Sequence, residues 1–282
     1  MRFHIAHIIP QPRMHGLHGY KEVIETVIWG LEQLGHSATY SVNQFDNHAT
    51  NLVFGGQVLS IDALNELRED TIIYHFEQIR NTEACTIRPE AKHFASRFRI
   101  WDYSEFNLSV WQALGTKHPI RIVPVGHAPI LERIPKAPTQ DIDVLFYGRT
   151  DQTRLAAFDV LSRRGLTSIF VSGLYGAARD ELISRAKVVL NINFYSASRI
   201  FEVPRVAYLL SNKKAVVALK EPDIAIESDL IEGIRFSPSA SFMQDCVSLV
   251  DSADDRSALE ERGYSVMARR DIRTILTSAL DQ

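Results

Sequence analysis

The sequence predicts an α/β protein of two domains, each built on a mostly parallel, doubly wound sheet. Short Val- and Ile-rich runs of strand length recur along the chain, separated by segments whose apolar residues repeat at helical spacing. That alternation stops once, at residues 131–140, LERIPKAPTQ, which carry two prolines and no apolar period. With 282 residues and 45% hydrophobic side chains, the chain suffices for two ordinary domains with real cores.

In the first half, residues 3–9 read as a strand leading into a loop, PQPRMHGLHGY, that holds Gly16, His18 and Gly19. Residues 20–34 then place Val23, Val27, Ile28, Leu31 and Leu34 on one helix face, and Gly35 ends the helix. A strand, a glycine-bearing loop and a helix N-terminus make a candidate acceptor or phosphate loop, though many α/β proteins use the pattern without binding phosphate. Strands follow at 37–42, 51–54, 71–76, 99–101 and 121–125, with a helix over 106–114. His75 and Glu77, in HFEQI, stand at a strand end. Residues 131–140 are the expected linker, dividing domains over 1–134 and 141–282.

After the linker the alternation restarts, with strands at 144–147, 168–171 and 188–192 and helices at 154–164 and 178–186. A polar loop from Asn193 precedes a helical segment with Arg199 and Glu202, and Pro204 fits its first turn. Strands at 215–219 and 234–236 and helices at 241–250, 259–262 and 265–280 close the chain. The Val-rich runs on either side of the helical segment suit a sheet covered on both faces.

Ligands of such sheets bind beyond the carboxyl ends of the strands. There DVLFYGRTDQTR places Gly148, Arg149 and Arg154. Two guanidiniums beside a helix N-terminus suit a diphosphate, whereas an arbitrary arginine pair is solvated surface. VSGLYG puts Gly173 and Gly176 after the next strand, where backbone groups can read a planar base or merely turn the chain. Arg199 and Glu202 share a helix face if the helix starts before them, and otherwise form a surface ion pair.

The GR at Arg149, the loop at Gly173 and RIFEVPRVAYLLSNKKAVV together resemble the second domain of GT-B fold glycosyltransferases, the bacterial group 1 type that uses nucleotide-sugar donors. HFEQI, WDYSEFN at 101–107 and VPVGHAP at 123–129 resemble first-domain segments of its members. The resemblance implies two Rossmann-like domains facing across a cleft, with the last helix packing back on the first. It implies a donor site of Gly148, Arg149, Arg154, Gly173, Arg199 and Glu202, with Glu202 on the ribose hydroxyls and the arginines on the diphosphate. Two features depart from the pattern: Phe194 stands where many retaining members carry a second glutamate, and the usual lysine partner of the GR arginine is at best an arginine. Donor sugar and stereochemical outcome stay open. So do an epimerase of the same architecture and a non-catalytic nucleotide-binding module.

Candidate catalytic groups are Glu77, His75 and His127, with His18 also at a strand end. Each has a plainer role: His75 and Glu77 alternate, so one can face inward while the other meets solvent, and His127 can brace the domains near the linker. Asp141-Ile142-Asp143 has a metal-binding form but precedes its strand, and Asp251, Asp254 and Asp255 read as a helix cap. No metal or other cofactor is expected, with helix dipoles and arginines stabilising a departing diphosphate.

A formal charge of −3 and a pI near 6.4 give no support to nucleic-acid binding. Cys85 and Cys246 have neither metal nor redox spacing. No run approaches the roughly 18 apolar residues of a spanning helix. The expectation is a cytoplasmic enzyme, with peripheral contact at the inner membrane left open. Its partners are a nucleotide sugar and an unidentified acceptor, be it glycan, lipid, protein or small molecule.

Overall fold

The structure is a computed structural model that describes residues 1–9, 19–79, 88–193 and 200–281. The chain divides into two compact units, residues 1–126 with 271–282, and residues 127–270.

The first unit opens with β1 (Arg2–His7) and α1 (Lys21–Gln33), followed by β2 (Ser37–Val42), β3 (Thr50–Phe54), α2 (Ile61–Glu66) and β4 (Ile72–His75). Next come α3 (Pro89–Arg97), β5 (Arg99–Asp102), α4 (Leu108–Leu114) and β6 (Arg121–Ile122). Its six strands pair in the order β2-β1-β3-β4-β5-β6, each pair parallel. Ala6, Val53, Ile73 and Ile100 face Phe94, Phe98 and Trp111 in one apolar layer.

The second unit runs β7 (Ile142–Tyr147), α5 (Gln152–Arg163), β8 (Ser168–Val171), α6 (Ala177–Arg185) and β9 (Ala186–Asn191). It continues through α7 (Val203–Ser211), β10 (Ala215–Leu219), β11 (Arg235–Ser237), α8 (Phe242–Asp251) and α9 (Ala253–Ala268). The five strands are again parallel, in the order β11-β10-β9-β7-β8. Because β7 to β8 and β9 to β10 step in opposite directions, right-handed crossovers put α5 and α7 on opposite faces. Val144, Phe146, Val188 and Leu190 pack on the face shared by α5 and α8. By alternation Leu145, Tyr147, Val189 and Asn191 face α7.

Three expectations change. Residues 131–140 belong to the second unit, and the division falls at Gly126/His127. Leu131 and Ile134 are buried, and Asn212 Oδ1 accepts the backbone N–H groups of Arg133 and Ile134, tying the stretch to the end of α7. The helix read at 265–280 is two: α9 ends at Ala268, and Asp271 caps α10 (Ile272–Leu280) by accepting the Arg273 N–H. Finally, α7 starts at Val203 with Glu202 immediately before it, and Arg199, the other half of the expected pair, lies outside the described residues.

α10 belongs to the first unit, where it lies on α1. Gly30 is what admits it. A Cβ there would stand 2.7 Å from Leu276 Cδ1 and 3.0 Å from Ile272 Cγ2, so any larger residue would make those side chains shift.

Candidate functional site

Three strand ends and one helix start converge in the second unit. β7 ends at Tyr147 and turns through Gly148, whose φ of +146° favours glycine. α7 begins after Glu202, with Pro204 in its first turn. That turn sets the positive end of the helix dipole at the carboxyl edge of the sheet, although the Val203 N–H is taken by the Phe201 carbonyl and Pro204 has none.

Glu202 is held by two guanidiniums. Its Oε1 accepts from Arg154 Nη2 at 3.3 Å and its Oε2 from Arg205 Nη2 at 2.5 Å. With both oxygens fixed, each keeps a lone pair for a further donor. Two fixed acceptors side by side suit a vicinal diol.

Arg154 departs from the sequence expectation. It is 2% exposed, donates through Nε (2.9 Å) and Nη2 (2.5 Å) to the Ile192 carbonyl and through Nη1 to that of Arg149 (2.9 Å), and lies 5.0 Å over the Phe146 ring. Burial pulls its pKa down to about 10, opposed by Glu202. This arginine is a strut joining the β7 loop, the end of β9 and Glu202. Arg149 is exposed, and its carbonyl is what Arg154 grips.

Gly173 (φ +72°) turns the chain after β8, and Gly176 (φ +64°) precedes α6. Behind Tyr147, Arg179 lies 4.8 Å over the Tyr208 ring and bonds Asp180, which also accepts from the Tyr208 hydroxyl at 2.8 Å. The side-chain amides of Asn191 and Asn193, 1% and 6% exposed, have no hydrogen-bond partner among the described residues. Sequence reasoning passed over these two and Arg205. The signal for Arg205 was its i+3 spacing from Glu202.

In the first unit His75 and Glu77 part ways. His75 is 4% exposed, its Nδ1 3.2 Å from Asp102 Oδ2, with its ring edge-on to Trp111. Asp102 also accepts from Trp111 Nε1 (2.7 Å), Asn107 Nδ2 (3.0 Å) and the Ser104 N–H (2.8 Å). His75 therefore belongs to a buried network rather than to an open strand end. Glu77 is exposed, and its Oε1 accepts from Tyr20 (2.9 Å) and Gln57 Nε2 (3.1 Å). Burial, then the Glu77 charge, raises the Tyr20 pKa well above its ordinary value, so the phenol stays a donor. Gly19 stands just before Tyr20, at the start of α1.

His127 is buried in the second unit, with Nδ1 3.1 Å from Ser211 Oγ and Nε2 3.0 Å from Glu132 Oε1, and Glu132 also takes the Tyr264 hydroxyl. This set ties the start of the unit to α7 and α9. Gly16, His18, Phe194, Arg199 and Cys85 lie outside the described residues. Asp141 and Asp143 sit at the amino end of β7, paired with Arg185 and with Lys187. Among the described residues no three His, Cys, Asp or Glu side chains are placed to hold a metal ion, and no helix is long and apolar enough to cross a membrane.

No family model matches the chain, and no curated protein matches its sequence. Solved structures match it over nearly its whole length. A glycosyltransferase from Rickettsia africae is 9% identical with a TM-score of 0.61, covering 99% of this chain and 97% of that one. HepE from Anabaena, solved with UDP-glucose, is 11% identical with a TM-score of 0.61 and coverage of 100% and 98%. WaaG, a glycosyltransferase involved in lipopolysaccharide biosynthesis, is 10% identical with a TM-score of 0.58 and coverage of 100% and 99%. The shared fold is GT-B, two Rossmann-like domains in one chain.

Proposed function

We propose that the protein is a glycosyltransferase whose second unit binds a nucleoside-diphosphate sugar and whose first unit binds the acceptor. The observation that carries this reading is Glu202, a carboxylate fixed by Arg154 and Arg205 at the start of α7 and at the carboxyl end of a parallel sheet. A ribose diol needs two acceptors so placed, and the helix start and the exposed Arg149 suit the phosphates beside it. Arg199 and Gly173 complete the proposed donor residues. HepE, of the same fold, was solved with UDP and with UDP-glucose, which supports a nucleotide sugar.

In the reaction the bond from the anomeric carbon to the diphosphate oxygen breaks, a bond to the acceptor oxygen forms, and the acceptor hydroxyl loses its proton. The diphosphate leaves with the electron pair, stabilised by arginine side chains and the helix start rather than by a metal. On the acceptor side Glu77 is the group suited to take or orient that hydroxyl, because Tyr20 and Gln57 fix one oxygen and leave the other. His18, Gly16 and Gly19 are proposed for the same loop.

The test supplies UDP-, GDP-, ADP-, CDP- and dTDP-sugars to the full chain in EDTA and follows binding and release of the diphosphate. One sugar nucleotide is expected to bind and, with water taking the sugar in place of the acceptor, to release its diphosphate slowly, and Glu202→Ala to weaken both. No binding by the folded protein, or equal turnover in Glu202→Ala, would overturn the reading.

A further inference from the structure

Arg154 is committed to carbonyls and to Glu202, which leaves open the cation that meets the phosphates most deeply in the site. Arg205 is the residue with capacity. Its guanidinium lies 5.3 Å over the Phe146 ring and 5.6 Å over the Tyr147 ring, Nη2 bonds Glu202, and Nη1 is buried with no partner among the described residues. Gly148 faces it: a Cβ there would come within 3.5 Å of Arg205 Nη2 and 3.7 Å of Arg154 Nη1. Glycine thus leaves a backbone-lined gap beside two guanidinium edges.

The sheet register adds the amides. Leu145 pairs with Val189, so continuing the register sets Tyr147 beside Asn191 on the face toward α7, and Asn193 follows two residues past the end of β9. Both amides are more than nine-tenths buried and lack partners among the described residues. An unmade buried hydrogen bond costs about 1–3 kcal/mol. Several at the carboxyl end of one sheet, the same end that carries a guanidinium with a spare N–H, suit a ligand that brings both acceptors and donors.

We infer that Arg205, backed by Asn191 and Asn193, is the residue that selects a diphosphate over a monophosphate in this site. The inference rests on the proposed nucleotide-sugar reading and extends it. Pairing with Glu202 holds the guanidinium at the helix start, and a small rotation gives Nη1 a phosphoryl oxygen while Glu202 turns its lone pairs to the diol. The planar fork of arginine suits two phosphate oxygens at once, which a lysine ammonium cannot copy.

The test is calorimetry on the full chain with the best-binding nucleoside diphosphate, its monophosphate and inorganic pyrophosphate. Wild type is expected to prefer the diphosphate, Arg205→Gln to lose about 10- to 100-fold for it and less than threefold for the monophosphate, and Arg205→Lys to fall between. Equal losses for both nucleotides would show that Arg205 acts only through Glu202, and an unchanged diphosphate affinity would remove it from the site. Either overturns the inference and leaves the nucleotide reading standing. Absence of nucleotide binding in wild type overturns both, whereas pyrophosphate binding alone leaves a plain anion site and contradicts the nucleotide reading. Melting temperatures establish folding, and Arg205→Lys carries the test if Arg205→Gln is unfolded.

Discussion

Glu202 and Arg205 stand three residues apart and meet at 2.5 Å across the start of α7, while the other oxygen of Glu202 is held by Arg154. The pair makes Glu202 a fixed, charged acceptor before any ligand arrives. Removing it should therefore cost ligand hydrogen bonds rather than fold. Glu202→Ala is expected to weaken binding of the cognate nucleoside diphosphate by about 1–3 kcal/mol and to erase any preference for ribose over 2′-deoxyribose. Calorimetry with the two sugars checks this, and an intact preference in the variant would remove Glu202 from the diol.

Arg154 should behave in the opposite way. It is buried, and its loss would strand the Ile192 carbonyl and loosen the β7 loop. Breaking such a buried charged network costs about 3 kcal/mol or more. Arg154→Met is expected to lower stability by that amount in urea unfolding, and a change below about 1 kcal/mol would contradict the strut.

Much of this was legible in the sequence. The β/α alternation marked the strands because Val- and Ile-rich runs are buried on both faces, and Glu202 stood out by its place after a strand. The fate of Arg154 was not legible, since burial follows from a carbonyl 38 residues away, just past the end of β9. His75 and Glu77 were separable only as a pair, by strand alternation, and the Asp102 network then decided which faced inward. The α9–α10 break hides between two helical patterns, and Asp271 as a cap was its one local sign.

The Asp102 network predicts a structural centre in the first unit. Asp102 is fully buried and accepts from Trp111, Asn107 and Ser104. Asp102→Ala leaves those donors unsatisfied, and a loss of about 3 kcal/mol is expected. Denaturant unfolding followed by Trp fluorescence reads it, and near wild-type stability would show that the donors find other partners.

Lys214 predicts a pH dependence. It is 2% exposed, and burial pulls its pKa from 10.5 down to about 8, against the pull of Glu260 and with that of Lys136. The folded value lies below the unfolded one, so the native state binds fewer protons between those limits. Stability contributed by this group therefore rises from pH 8 to pH 10.5, by up to roughly 3 kcal/mol. Subtracting the profile of Lys214→Met from that of wild type should isolate the rise, and a flat difference would contradict it.

The central claim is a nucleoside-diphosphate site in the second unit. It is tested most directly by calorimetric titration of the full-length protein, in EDTA, with UDP, GDP, ADP, CDP and dTDP. The account predicts selective binding of one ribonucleotide, weakened in Glu202→Ala. Failure of the folded protein to bind any of the five, or affinity untouched by Glu202→Ala, would contradict it.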